Sequence, residues 1–324
     1  MSTVVFVKQP KHLSEALEEF RFDCNNKTIP LKVHMGEPKN LYFPRPKDVN
    51  ILADKLREWG AKPVLYDTTV AYSSPRNSAA GYESVASAHG FDKIAEILIE
   101  EKGLVKKVQG FDFEVGLFLT QSSCVAAFSH VKGHCSTGMG GTIKNFGMGG
   151  VTKQTKKWMH DASRPVFDES TCSLCGRCAD VCICDAISID DDAWLWEEWK
   201  CFGCGVCVLN CPKDALSFQI EDFQFLLSCA AKAALFEKKG IYVNELRRIA
   251  KDCDCTPGGG PLLCADLGFV IGSDPVAVDT ASLDIIDKQF GDIFLKSHHV
   301  DPYLHVKCAE KIGLGSTKYT LKEW

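Results

Sequence analysis

The sequence predicts an α/β protein, a mainly parallel sheet with helices on both faces, and three observations carry that expectation. Apolar, β-branched runs of strand length alternate with stretches of helical spacing. Glycine and proline punctuate the helical stretches where caps and first turns belong. A cysteine-rich block interrupts the alternation near its middle without ending it.

In order, Thr3–Val7 and Leu31–His34 read as strands. Val49–Trp59 has helical spacing and ends at Gly60. Pro63–Asp67 is a strand, and Ala80–His89 a helix stopped by Gly90. Val115–Leu119 and Cys124–His130 read as strands, the second running straight into a glycine-rich stretch. Beyond the cysteine block, Asp222–Phe236 is a helix, Gly240–Val243 and Leu267–Ile271 are strands, Pro275–Gln289 is a helix opened by proline, and Tyr303–Ile312 is another. Strands alternating with helices argue for a sheet covered on both faces. Residues 1–164 and 218–324 are expected to close into one domain, with residues 165–217 inserted into it.

The 324 residues are 45% hydrophobic and 24% charged, a globular balance. A net charge of −5 gives no reason to expect a nucleic-acid partner. The N-terminus lacks a basic region followed by an apolar run, and Phe223–Phe236, broken by Lys232, is too short to span a bilayer. A cytoplasmic protein with no membrane partner is expected. Seventeen cysteines in such a chain point to metal rather than disulfides.

Eight of those cysteines fall in two blocks, CSLCGRCADVC (Cys172, Cys175, Cys178, Cys182) and CFGCGVCVLNCP (Cys201, Cys204, Cys207, Cys211). Both follow C-x2-C-x2-C-x3-C. Three thiolates at that spacing wrap one cubane from a single loop, and the fourth, at the start of the next helix, reaches the other cluster. The expected ligand sets are therefore crossed: Cys172, Cys175, Cys178 and Cys211 for one [4Fe–4S] cluster, and Cys201, Cys204, Cys207 and Cys182 for the second. Paired zinc knuckles would not use the third cysteine of each block. Ile183 stands where the first block would carry proline, and Cys184 reads as a structural thiol. The segment resembles a bacterial-type two-cluster ferredoxin domain, which implies transfer of one electron per cluster. Trp194, Trp196 and Trp199 are expected to shield the clusters.

VKGHCSTGMGGTIKNFGMGG, residues 131–150, poses a different question. Gly138, Gly140 and Gly141 permit close backbone approach to a ligand and a nest of N–H groups for an anion. Lys144 adds charge, and Thr142 and Asn145 add hydrogen bonds. Neither a P-loop nor a dinucleotide-binding pattern is present. His130, His134 and His160 flank the stretch, and Arg76 offers a bidentate clamp for a carboxylate or phosphate. Cys253 and Cys255, on one face of a strand around Asp254, would bind soft metal with Cys264 or a histidine, or be two buried thiols. Asp274 reads as a helix cap before Pro275, and Asp279 as a residue that could face the site.

KVHMGEP, the Tyr-x-x-x-Arg of AYSSPR, KGH…TGMGGTIKNFGMG, the Cys-Asp-Cys motif and GSDPVAVD together resemble the uncharacterised family called domain of unknown function 362, in its ferredoxin-containing form. More distantly, His134, Lys144 and His160 resemble in order and spacing the N-terminal domain of nickel-pincer lactate racemases. That resemblance implies cofactor contact by Lys144, metal ligation by His160 and proton movement by His134. Racemisation transfers no net electrons, so two clusters argue against that reaction here.

The expectation is an iron–sulfur oxidoreductase that delivers electrons from a redox partner protein to a small anionic substrate, a further metal or an anionic organic cofactor. The catalytic candidates are His134, Lys144, Arg76 and His160. The alternatives are a non-catalytic electron carrier and a metallocentre assembly or activation protein.

Overall fold

The computed structural model describes residues 1–190 and 192–324. Its strands in chain order are β1 (Ser2–Val7), β2 (Thr28–Val33), β3 (Lys62–Thr68), β4 (Ile97–Glu100), β5 (Gly103–Val108), β6 (Phe111–Gly116), β7 (Cys124–His130), β8 (Lys132–His134), β9 (Gly138–Gly140), β10 (Pro165–Phe167), β11 (Ile187–Asp190), β12 (Ala193–Trp196), β13 (Leu216–Phe218), β14 (Lys239–Leu246), β15 (Gly268–Gly272) and β16 (Tyr319–Glu323). Eight of them form one sheet in the order β16-β1-β15-β14-β7-β2-β3-β4. Only β15 runs against its neighbours; every other pairing in this sheet is parallel.

Alternation along each strand divides the interior into two cores. Val5 and Val7, Ala126 and Phe128, and Ile241 and Val243 face one side. There they meet helices α1 (Leu13–Leu17), α2 (Pro46–Glu58) and α3 (Ala79–Ala88). Val4 and Phe6, Val125 and Ala127, and Tyr242 face the other side. On that side lie α5 (Thr142–Gly149), α9 (Phe223–Leu235), α10 (Pro275–Phe290) and α12 (Leu304–Lys311). Burial on both faces explains why the strands read as continuous apolar runs.

Local signals place the ends. Asp222 caps α9 by accepting from Gln224 N at 3.0 Å. Asp274 caps α10 by accepting from Val276 N and Ala277 N at 2.9 and 3.1 Å, with Pro275 in its first turn. One strand expectation is corrected. Val115–Leu119 is not a strand throughout, because β6 stops at Gly116 and Leu117–Gln121 turns into a short helix, α4.

The cysteine-rich segment leaves and rejoins the sheet domain side by side. Strand β10 pairs with β13 antiparallel, Pro165 opposite Phe218. Between them the two cysteine blocks repeat one conformation: a left-handed residue at Leu174 and Gly203, another at Gly176 and Gly205, then the short helices α7 (Arg177–Asp180) and α8 (Val206–Leu209). Among the described residues no helix is long and apolar enough to cross a membrane.

Candidate functional site

The carboxyl ends of β2, β3, β7 and β14 meet at a cavity of about 340 Å³, where open parallel sheets bind ligands. Strand alternation aims Lys32 and, just past the end of β2, His34 into it; Asp67 comes from the end of β3. Lys132 and His134 follow β7, and Cys253 and Cys255 follow β14. Lys144, Asn145 and Gly149 come from α5, and Lys156 and His160, one turn apart, from α6 (Lys153–Ala162). Cys201 and Phe202 of the second cysteine block close a wall.

The lining is rich in buried cations. Lys32 Nζ lies 3.1 Å from Asp67 and donates to Asn145 Oδ1 at 2.7 Å. Burial pushes Lys32 down to about 8 against the pull of Asp67. Lys156, 5% exposed, has no carboxylate partner among the described residues; it donates to Thr68 Oγ1 at 2.7 Å and to the Thr69 carbonyl at 2.6 Å, and burial pushes it down to about 7. Lys132 sits 3.3 Å from Asp254, whose other oxygen is 2.7 Å from His130 Nδ1. Asp254 stays ionised well below the usual carboxylate range, His130 and Lys132 outweighing its burial. Lys144 Nζ stands 3.6 Å from Cys253 Sγ. Burial works against the Lys144 charge, but Cys253, Cys255 and Cys135 outweigh it and raise this lysine. The Cys253 thiol is held well below its ordinary value, first by a hydrogen bond from Cys255, with Lys144 and Lys132 adding to it against burial.

The histidines have distinct settings. His134 Nδ1 accepts from Ser136 N at 3.2 Å, which leaves Nε2–H as its donor, and burial beside Lys144 keeps the ring neutral. His160 lies between Phe202 and Phe223, with ring centroids 4.4 and 4.6 Å away. Its Nδ1 meets the Gly203 carbonyl at 3.2 Å, and burial pushes it down to about 4. With Nδ1–H donating there, Nε2 keeps the lone pair.

The structure thus gathers Arg76, His134, Lys144, Asn145, His160, Cys253 and Cys255 around one cavity. It does not bring Gly138, Gly140, Gly141 or Thr142 to the lining. The anion nest at that turn is filled by the protein itself: Asp279 Oδ1 accepts from Thr142 N at 2.7 Å and Oδ2 from Ile143 N at 2.8 Å. A Cβ on Gly141 would lie 2.5 Å from that carboxylate, so glycine is needed there for an internal contact. Arg76 also departs from expectation. Its terminal nitrogens donate to Glu37 at 3.0 Å, Tyr72 at 3.2 Å and Tyr82 at 3.0 Å, and one meets His34 at 2.9 Å. No bidentate face remains for a ligand. His130 is likewise occupied, tied to Asp254 and the Arg247 carbonyl. Cys253 and Cys255 lie in a turn rather than a strand, with Thr256 N donating to the Cys253 carbonyl at 2.8 Å.

A second, smaller cavity is lined by Cys172, Cys175, Cys178 and Cys211, three thiols from one block and one from the other. Trp194 closes it, stacked on Phe167 at 4.3 Å. Burial pushes the Cys207 thiol up to about 12, and Cys201, Cys182 and Cys178 add to the rise. Cys184 Sγ is 4.0 Å from Cys182. Among the described residues no three His, Cys, Asp or Glu side chains converge on a point as ligands of a single ion do, and Cys264 does not join Cys253 and Cys255. Trp199 departs from the shielding expectation: it is 80% exposed.

Residues 29–284 match the model of a family described as domain of unknown function, DUF362. The chain belongs to this family. None of the curated proteins matches it. Among solved structures, this DUF362 protein is similar to a protein from Thermotoga maritima, at 10% identity and a TM-score of 0.43, covering 93% of this chain and 58% of that one. It is also similar to the lactate racemase apoprotein from Thermoanaerobacterium thermosaccharolyticum, at 11% identity and a TM-score of 0.36, covering 76% of this chain and 50% of the other. The chain therefore spans 58% and 50% of their lengths, and scores this low carry nothing about chemistry.

Three cavity residues of the DUF362 chain, Lys32, Lys132 and Lys156, were not singled out from sequence. Lys32 did carry a signal, a charge inside the apolar run TIPLKV. Lys156 sits four residues before His160 and so shares its helix face.

Proposed function

We propose that this DUF362 protein is an iron–sulfur oxidoreductase of the reducing cytoplasm. Its cysteine-rich unit holds two [4Fe–4S] clusters on crossed ligand sets and passes electrons from a partner protein to a small anionic ligand in the lysine-lined cavity. One observation carries the reading: Cys201 and Phe202 of the second cysteine block form a wall of the same cavity that holds Lys32, Lys144 and Lys156. The grouping of Cys172, Cys175, Cys178 and Cys211 around one space supports the crossing, since a cubane takes thiolates spread over its corners rather than converging on a point.

Such clusters supply one-electron transfer. The chain's own residues do the rest. Lys32, Lys144 and Lys156 offset the charge of an anion in a setting poor in water. His134, neutral with its Nε2–H free to donate, hydrogen-bonds an oxygen of the ligand. His160 Nε2 offers a lone pair to the ligand or to a further metal. A non-catalytic carrier would have no use for such a cavity, and a metal-delivery protein would need a third donor beside Cys253 and Cys255.

The test is an anaerobic count of iron, nickel and zinc, joined to electron paramagnetic resonance of the reduced protein with and without sulfate as an anionic probe. About eight irons per chain are expected, with a spectrum that changes when sulfate occupies the cavity. Zinc in place of iron overturns the reading. Iron with a spectrum blind to sulfate removes the link between cluster and cavity and favours a carrier.

A further inference from the structure

Cys253 and Cys255 share a turn and both face the cavity. The two thiols act on each other, Cys253 drawn below its ordinary value and Cys255 pushed above it, and Lys144 Nζ lies 3.6 Å from Cys253 Sγ. The turn is held from outside. Asp254, between the two cysteines, is bound to His130 and Lys132, and Asn40 Nδ2 donates to the carbonyls of Cys253 and Thr256 at 3.4 and 2.7 Å. No third ligand joins the pair among the described residues. A thiolate held by a thiol and an ammonium is the reduced half of a dithiol couple. Other thiols fall within range of these charges: Cys253 acts on Cys135, and Cys135 on Cys204 of the second cysteine block.

We propose that Cys253 and Cys255 form a redox-active dithiol–disulfide couple that collects two electrons from the cysteine-rich unit at the edge of the cavity. The inference rests on the iron–sulfur reading above. In the reductive direction the Cys253–Cys255 sulfur–sulfur bond breaks, and each of two reduced [4Fe–4S] clusters gives up one electron. One proton from solvent goes to Cys255, and Cys253 is left as a thiolate facing Lys144. Clusters pass electrons singly; the couple holds them as a pair. The ligand class that follows is an anionic molecule reduced by two electrons.

The experiment is a stepwise anaerobic reduction of the cluster-loaded full chain, with iron counted beforehand. Paramagnetic resonance is recorded at each step, and differential alkylation with mass spectrometry reads the state of Cys253 and Cys255. The expected result is a lag of about two electron equivalents before the cluster signal grows. The two cysteines resist alkylation before the lag and both accept it after. Cys253→Ser and Cys255→Ser abolish the lag and keep the iron. Iron with no lag, or alkylation of both cysteines in the oxidised protein, overturns the couple while leaving the cluster reading intact. No iron at all overturns both, and the metal count reports that outcome separately.

Discussion

Lys144 Nζ and Cys253 Sγ are 3.6 Å apart inside the cavity, and the hydrogen bond from Cys255 reaches the same sulfur. Of the two influences the hydrogen bond is the larger. In reduced protein, Lys144→Met therefore moves the pH profile of Cys253 alkylation upward, and Cys255→Ala moves it further. Alkylation rates by mass spectrometry across pH check the order. A larger shift for Lys144→Met would place the charge, not the thiol, in control.

Crossed ligation has a pairing signature. Cys172→Ser and Cys211→Ser, in different blocks, give the same residual cluster spectrum; Cys201→Ser and Cys182→Ser share another. Each variant keeps about four irons. Spectra that instead pair within a block would show that each block holds its own cluster.

Anion binding falls as pH rises. Burial lowers Lys156 to about 7 and Lys32 to about 8, so each loses its proton while an exposed lysine would keep it. Bound anion favours the protonated form and takes up protons in that window. Sulfate, which does not titrate there, serves as the probe. Its affinity drops about tenfold or more between pH 7 and 9, and calorimetry in buffers of different ionisation enthalpy detects the proton uptake. Lys156→Met flattens the curve.

Asp279 anchors α5 through Thr142 N and Ile143 N and also accepts from Asn244 Nδ2 at 2.7 Å. Asp279→Ala leaves three buried donors without that acceptor and costs about 2–4 kcal/mol. Asp274→Ala, which removes the α10 cap and the part-buried acceptor of Ser2 Oγ and Ser316 N, costs about 1–3 kcal/mol. Urea midpoints rank the two.

The sheet was legible because both its faces are buried: Cys124–His130 and the flanking apolar runs have no polar side to confuse their period. Helix α5 was not, since TIKNFGMG carries two glycines and is followed by a third. The helix needs Gly147 for a different reason from flexibility: a Cβ there would lie 2.5 Å from the Leu227 carbonyl of α9. The glycine stretch was thus a packing motif as much as a ligand motif. Lys144, His134 and His160, which line the cavity, stood out in the sequence through their unusual neighbours. Lys32 and Lys156 passed as ordinary lysines, because only the tertiary fold removes their solvent. Arg76 was read as a clamp for a ligand, whereas the structure turns it to Glu37, which comes from another loop.

Strands β10 and β13 lie side by side, so the chain departs and returns at nearly one point. In polymer terms the segment between them is a closed loop whose ends were already joined by the host, and lengthening such a loop adds little entropy. A grafted module of this kind can be gained or lost without unmaking the sheet. The cavity is another matter: Cys201 and Phe202 of that segment form one of its walls, so a chain without the segment would keep the lysines but open them to water.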